Sequence, residues 1–154
     1  LQRIRGPAVA LVFAVAIVSV FRLSANNPLD LPSMPLVLAR SVAAAVGPAW
    51  PFFSNFVGGL GSFITGSNTV SNLLFAEFQW GVASELNLDE ALAMASQSVG
   101  GAAGNMVCVH NVVAAAAVVG LSGAEGAILR RTALPFLIYG TVVGGTVAVW
   151  SALA

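Results

Sequence analysis

Six of the eight residues at positions 65–72 carry a hydroxyl or an amide: Thr65, Ser67, Asn68, Thr69, Ser71 and Asn72. Gly66 lies among them, and the surrounding run is apolar. If a helix begins at Ser67, its first N–H groups have no helical acceptors and together carry roughly half a positive charge. A carboxylate is stabilised there without any cationic side chain. At helical spacing Asn68, Ser71 and Asn72 share one face, so amides and a hydroxyl can line a single cavity. Capping and hydrogen bonding between helices would account for one or two such residues, but not for six.

A second polar cluster follows at 100–111. Gly100 and Gly104 let backbones approach, either for helix packing or at a break beside a ligand, and Asn105 adds an amide. His110 and Asn111 stand further along. His110 is the only histidine, set in an apolar run. Ionisable groups in such surroundings are costly and usually functional, and imidazole titrates near neutrality. A proton-coupling role and a neutral ring bonded across helices fit it equally. With Cys108 as the only cysteine there is no internal disulfide and no metal-ligand spacing. No phosphate loop or nucleophile–base arrangement can be assembled, so neither an enzyme nor a cofactor is expected.

These groups must be positioned by helices in lipid. The 154 residues are 58% hydrophobic and 8% charged, with a mean hydropathy of +0.91. Soluble domains carry about 25% charged residues. The six basic and six acidic residues cancel, leaving no field to attract nucleic acid. Residues 41–76 and 91–124 contain no charge, and each run exceeds the ~20 residues that cross a ~30 Å hydrocarbon slab. Both are interrupted by Gly, Ser and Asn, and irregular backbone in lipid is tolerated only where protein or a water-filled cavity covers it.

The expected spans are 7–21, 36–60, a half-helix over 67–80, 91–121 broken near 100–104, and 132–153. The first is flanked by Arg3, Arg5 and Arg22. Helix 52–60 should end in Gly58, Gly59 and Gly61. If Glu77 and Trp80 mark an interface, Gly66 and Ser67 lie near the midplane. Segment 81–90 reads as aqueous, with Asn87 capping the next helix, and 122–131 as a polar connection. Pro135 falls in the first turn of the last span, where Gly140 and Gly144 permit close helix contact. Arg130 and Arg131 suggest a cytoplasmic start for that span. Arg40 reads as structural near a helix end, with pairing to an acid or an approach to the substrate as alternatives, and Glu77 as facing either an interface or a cavity.

The strings GSFITGSNTVSNLLF at 61–75, SVGGAAGNMVCVHNVVAAAAVVG at 98–120 and GAEGAILRRTAL at 123–134 resemble the L-lactate permease family of bacterial secondary carriers. The resemblance implies a C-terminal portion of a longer permease, whose N-terminal remainder supplies the other wall of the cavity. It implies uptake of lactate, and in many relatives glycolate, by proton symport across the cytoplasmic membrane. Ser67, Asn68 and Thr69 are also similar to the Ser-Asn-Thr signature of dicarboxylate carriers, where hairpin tips bind carboxylate and sodium.

The reading is therefore an all-α, polytopic membrane protein with discontinuous or re-entrant helices, one repeat of an inverted-repeat transporter. The expected substrate residues are Gly66, Ser67, Asn68, Thr69, Ser71, Asn72, Gly104, Asn105 and Asn111, with His110 as the proton-coupling candidate. The cargo would be lactate or a related 2-hydroxymonocarboxylate, and the partners a coupling proton and the lipid bilayer. A sodium-coupled carboxylate carrier is the alternative. A non-transporting subunit, whose Gly and Asn residues only organise assembly, is the alternative from a different class.

Overall fold

The structure, a computed structural model, describes residues 12–153 except 14, 18 and 22. Residues 7–11, 14 and 18 of the expected first span, 7–21, lie outside the described residues, as do its flanking Arg3, Arg5 and Arg22. Its described residues are helical and mostly exposed.

Helix α1 (Met34–Val46) starts where Ser33 Oγ accepts the Leu36 N–H at 3.4 Å. Pro35 sits in its first turn, where a missing N–H costs nothing. A 3-10 turn, Gly47–Ala49, leads into α2 (Trp50–Thr65), which again begins with a proline. Helix α3 (Asn68–Glu85) follows after two residues. Helix α4 (Glu90–Gly104) is capped by Asp89, whose Oδ1 accepts the Leu92 N–H at 3.0 Å. A 3-10 turn, Asn105–Val107, and Cys108 separate it from α5 (Val109–Val118), and α6 (Glu125–Leu153) completes the described chain. Residues Met34–Thr65 and α6 are each long and apolar enough to cross a membrane. Residues Glu90–Val107 with α5 pass the same test together, bent by 47°. The expected class is the class observed: all-α, with the make-up of a polytopic membrane protein.

Helices α2 and α4 touch backbone to backbone. A Cβ on Gly58 would strike the Gln97 carbonyl, one on Gly100 the Asn55 carbonyl, and one on Gly104 the Gly59 carbonyl. Between helices in lipid there is little hydrophobic gain, so this close van der Waals contact is what holds them. Helix α6 lies antiparallel across the pair. Phe136 rests on Gly59, Gly140 receives the Phe56 ring, Gly144 meets the Phe52 backbone, and Asn55 Nδ2 donates to the Gly140 carbonyl at 2.7 Å. Helix α1 covers α3 through Ala39, Ala43, Phe78 and Val82, with Trp50 edge-on to Phe78 at 5.5 Å.

Several boundaries differ from the sequence reading. Gly58, Gly59 and Gly61 do not end α2, because each is occupied by packing and the helix continues to Thr65. Gly100, Gly101 and Gly104 likewise stay helical, so the second break falls at 105–108 rather than at 100–104. Helix α3 runs 18 residues, about 27 Å, to Glu85. Residues 81–83 are therefore buried helix rather than an aqueous segment, and Gly66 lies most of a hydrocarbon thickness from the acidic edge. Glu77 accepts from Ser33 Oγ at 2.7 Å and ties α3 to α1, so it is no ruler for depth. Asn87 adopts a left-handed turn (φ 53°) and Asp89 provides the cap. The last helix begins at Glu125, so Pro135 lies in its interior.

Gly100→Ala should force α2 and α4 apart and cost about 1–3 kcal/mol. Gly145→Ala, which meets nothing within 4 Å, should be neutral or mildly stabilising. Thermal unfolding of the detergent-purified protein separates the two; equal midpoints would contradict the crossing.

Candidate functional site

The two breaks touch. Gly66 ends α2 in the left-handed region (φ 73°), which only glycine adopts at little cost. Thr65 Oγ1 steadies the turn, its single O–H lying within reach of the Gly61 and Ser67 carbonyls at 2.8 and 3.1 Å. Ser67 then caps α3, its Oγ accepting the Val70 N–H at 3.3 Å. From the other break, Cys108 lies against Gly66: a Cβ there would sit 3.3 Å from Cys108 Sγ, 3.7 Å from Asn111 Oδ1 and 3.8 Å from His110 Cβ. Asn111 Nδ2 donates to Asn105 Oδ1 at 3.1 Å and approaches the Gly66 carbonyl at 3.5 Å. Cys108 is fully buried, with His110 Nδ1 3.8 Å from its sulfur.

Two helix starts meet at this junction, α3 at Asn68 and α5 at Val109, and α5 has no side-chain cap. Their first N–H groups lack helical acceptors. The ends of α2 and α4 stop at the same place. Phe136 lies level with Gly59, so Arg130 and Arg131 fall towards the junction end of the bundle. Arg40 is at the other end, bonded to Glu85 at 3.0 Å, and both partners are well exposed. A small cavity bounded by Trp50, Ser54, Asp89 and Ser151 also lies there, away from the breaks.

Of the expected residues, Gly66, Asn105, His110 and Asn111 come together, with Ser67 and Asn68 opening α3 beside them. Asn68 Oδ1 presses against Gly101, buried and without a partner, and Ser62 Oγ nearby is also buried and unpaired. Thr69 is exposed. Ser71 faces inward, donating to the Gly58 carbonyl at 2.8 Å, and Asn72 reaches Ser98 Oγ at 3.4 Å. Gly104 belongs to the α2–α4 crossing, not to the junction.

Sequence reasoning missed a set of fully buried polar residues: Ser54, Asn55, Ser62, Gln79, Ser96 and Gln97. The signal was present. Asn55, Gly58, Gly59 and Ser62 recur at i, i+3, i+4 and i+7, and so do Gln97, Gly100, Gly101 and Gly104. Each set is one stripe of a helix, amide first and small residues after.

The sequence pattern that defines the L-lactate permease family matches residues 1–153. The chain belongs to this family. It is 41% identical over 142 residues to a Haemophilus influenzae protein whose name assigns it provisionally as an L-lactate permease, covering 92% of this chain and 26% of that protein. It is 39% identical over 103 residues to the glycolate permease of Escherichia coli, covering 67% and 18%. Over 133 residues it is 35% identical to the L-lactate permease of Salmonella typhi, covering 86% and 23%. The chain thus spans about a quarter or less of the length of these curated relatives. No solved structure matches it. Membership places it in a family of membrane permeases; among the described residues, the two interrupted helices bring Gly66, Asn105, His110 and Asn111 together.

Asn111→Ala should loosen the contact between the breaks and expose Cys108. Maleimide labelling of that thiol in membranes should then run several-fold faster than in the parent, whereas an unchanged rate would show that Asn111 does not close the junction.

Proposed function

We propose that this chain carries the cargo site of a permease that moves L-lactate and related small 2-hydroxymonocarboxylates across the cytoplasmic membrane by proton symport. The observation that supports it is the meeting of two helix starts, at Asn68 and Val109, beside the amides of Asn68, Asn105 and Asn111. A carboxylate at that point faces unpaired N–H groups and the positive ends of two helices. Arg130 and Arg131, on the same end of the bundle, reinforce the sign. Gly66 and Ser67 shape the turn, and Thr69 is open to a ligand. Ser71 and Gly104 support the site from behind, since both are taken up by packing.

Neutral donors suffice. A carrier must release its cargo, so a dissociation constant near millimolar, about −4 kcal/mol, is adequate. Three or four hydrogen bonds at about 1 kcal/mol each, with the helix ends, reach that scale. His110, exposed at the junction, is the group suited to carry the proton. The carbonyl ends of α2 and α4 point to the same place, which makes sodium the alternative coupling ion.

Counterflow of labelled L-lactate in vesicles holding the full-length permease tests the site. Ser67→Ala and Asn68→Ala should each raise half-saturation about three- to tenfold, as the loss of one hydrogen bond predicts. If they disturb only assembly, the non-transporting alternative holds.

His110→Ala should abolish uptake driven by a pH gradient and leave exchange intact. Uptake that persists under a pH gradient removes His110 from the mechanism, and uptake that falls when choline replaces Na⁺ assigns the coupling to sodium.

A further inference from the structure

Behind the junction lies a hydrogen-bonded chain whose direction is fixed at both ends. Gln79 Nε2 donates to the Ser54 carbonyl at 2.7 Å, an acceptor only, so the orientation of the Gln79 amide is settled. Its second N–H goes to Gln97 Oε1 at 2.9 Å, which turns Gln97 Nε2 towards α3. There Gln97 Nε2 donates to Ser71 Oγ at 3.1 Å and lies 3.4 Å from the Ser71 carbonyl and from Asn72 Oδ1. Ser71 Oγ, having accepted, donates to the Gly58 carbonyl at 2.8 Å. The chain leaves α2 at Ser54, passes through α3 and α4, returns through α3 and ends on α2 at Gly58. Gln79, Gln97 and Ser71 are all at least 99% buried. Reversing any amide would set two donors or two acceptors face to face, at a full desolvation cost.

From this we infer that Gln97 is a positioning residue for cargo binding. It holds Ser71 and Asn72, one turn beyond Ser67 and Asn68, and so fixes the rotation of α3 about its axis. That rotation decides where the Asn68 amide and the free N–H groups point. Gln97 touches no cargo itself; it acts through Ser71 and Asn72. The inference rests on the junction being the lactate site.

Two substitutions test it in the full-length permease, by lactate counterflow with the same pH on both sides of the membrane. Gln97→Met keeps length but has no donor, and it should raise lactate half-saturation about tenfold while maximal exchange changes less. Gln97→Glu carries a donor only when protonated: its O–H can then serve Ser71 while its C=O accepts from Gln79. The ionised form opposes Asn72 Oδ1 with another acceptor. Relative to the parent at each pH, affinity in Gln97→Glu should therefore match at the acid end and fall as pH rises. If burial keeps that carboxyl protonated throughout, it stays near the parent while Gln97→Met does not, which supports the inference equally.

The inference is overturned if Gln97→Met binds lactate like the parent, or if both variants are equally impaired at every pH, the mark of lost packing. Should neither variant accumulate in membranes, Gln79→Met removes the donor that orients Gln97 and must shift half-saturation in the same direction; no shift refutes the role. Ser67→Ala, run in parallel, separates the two claims. An unaltered half-saturation there defeats the junction as the lactate site, whereas a raised one beside an unaltered Gln97→Met defeats only the positioning role.

Discussion

Contact between the α2 and α4 backbones governs the rest of the structure. With glycine at 58, 100 and 104, carbonyl oxygens of one helix lie where side chains of the other would stand. Such an approach fixes the relative height of two helices to within a fraction of a turn, because a slip would drive Cβ atoms into carbonyls. Gly59 meets Gly104, and each helix then ends within a few residues of that point, α2 at Thr65 and α4 at Gly104. The breaks meet because the crossing sets them level. Phe136 and Gly140 bring α6 onto the same stripe, so the longest helix is registered against the same contact.

A broken helix in lipid exposes N–H and carbonyl groups that water would otherwise satisfy, at several kcal/mol each. Here one break covers part of the other, with Asn111 bridging towards the Gly66 carbonyl and Cys108 filling the space a side chain at 66 would take. The amide-rich interior follows the same reasoning. Gln79 and Gln97 contribute no charge, so they avoid the desolvation cost of buried ions, and their fixed donor–acceptor direction admits one arrangement of three helices.

The first break was legible in the sequence because two independent local signals coincide there: glycine for a left-handed turn, then serine for a cap. The membrane class was legible from composition alone. The second break was misplaced by a few residues, and the reason is physical. Glycine's missing Cβ both loosens a helix and admits a neighbouring backbone, and nothing local tells which applies. Gly100 and Gly104 have α2 against them and stay helical, while the chain turns at Cys108, a residue with no helix-breaking signature. Asn87 and Asp89 show a similar ambiguity: both can cap, and only the backbone turn at 87 leaves Asp89 in place. Gln97 was marked only by its stripe with Gly100, Gly101 and Gly104, and Gln79 by nothing local, because its partners, the Ser54 carbonyl and Gln97 Oε1, lie on other helices.

Four buried side-chain oxygens among the described residues lack partners. Asn68 Oδ1 and Ser62 Oγ both lie beside Gly101, Gln79 Oε1 within the network, and Asn55 Oδ1 where α2 meets α6. Ser71, Gln97 and Gln79, a few steps behind the first two, bond across the helices. Gln97 has both ends of its amide bonded to α3, whereas Asn68 at the start of α3 keeps its oxygen unpaired. An unpaired buried acceptor costs about 1–3 kcal/mol, so a small rotation of the Asn68 amide or of the α3 first turn exchanges one imperfect arrangement for another at little net cost. Nothing comparable is open to Gln97, whose rotation breaks its bonds to Gln79 and Ser71 on α3 at once. The first turn of α3, beside the left-handed turn at Gly66, is therefore easier to rearrange than the next turn, where Gln97 holds Ser71 and Asn72.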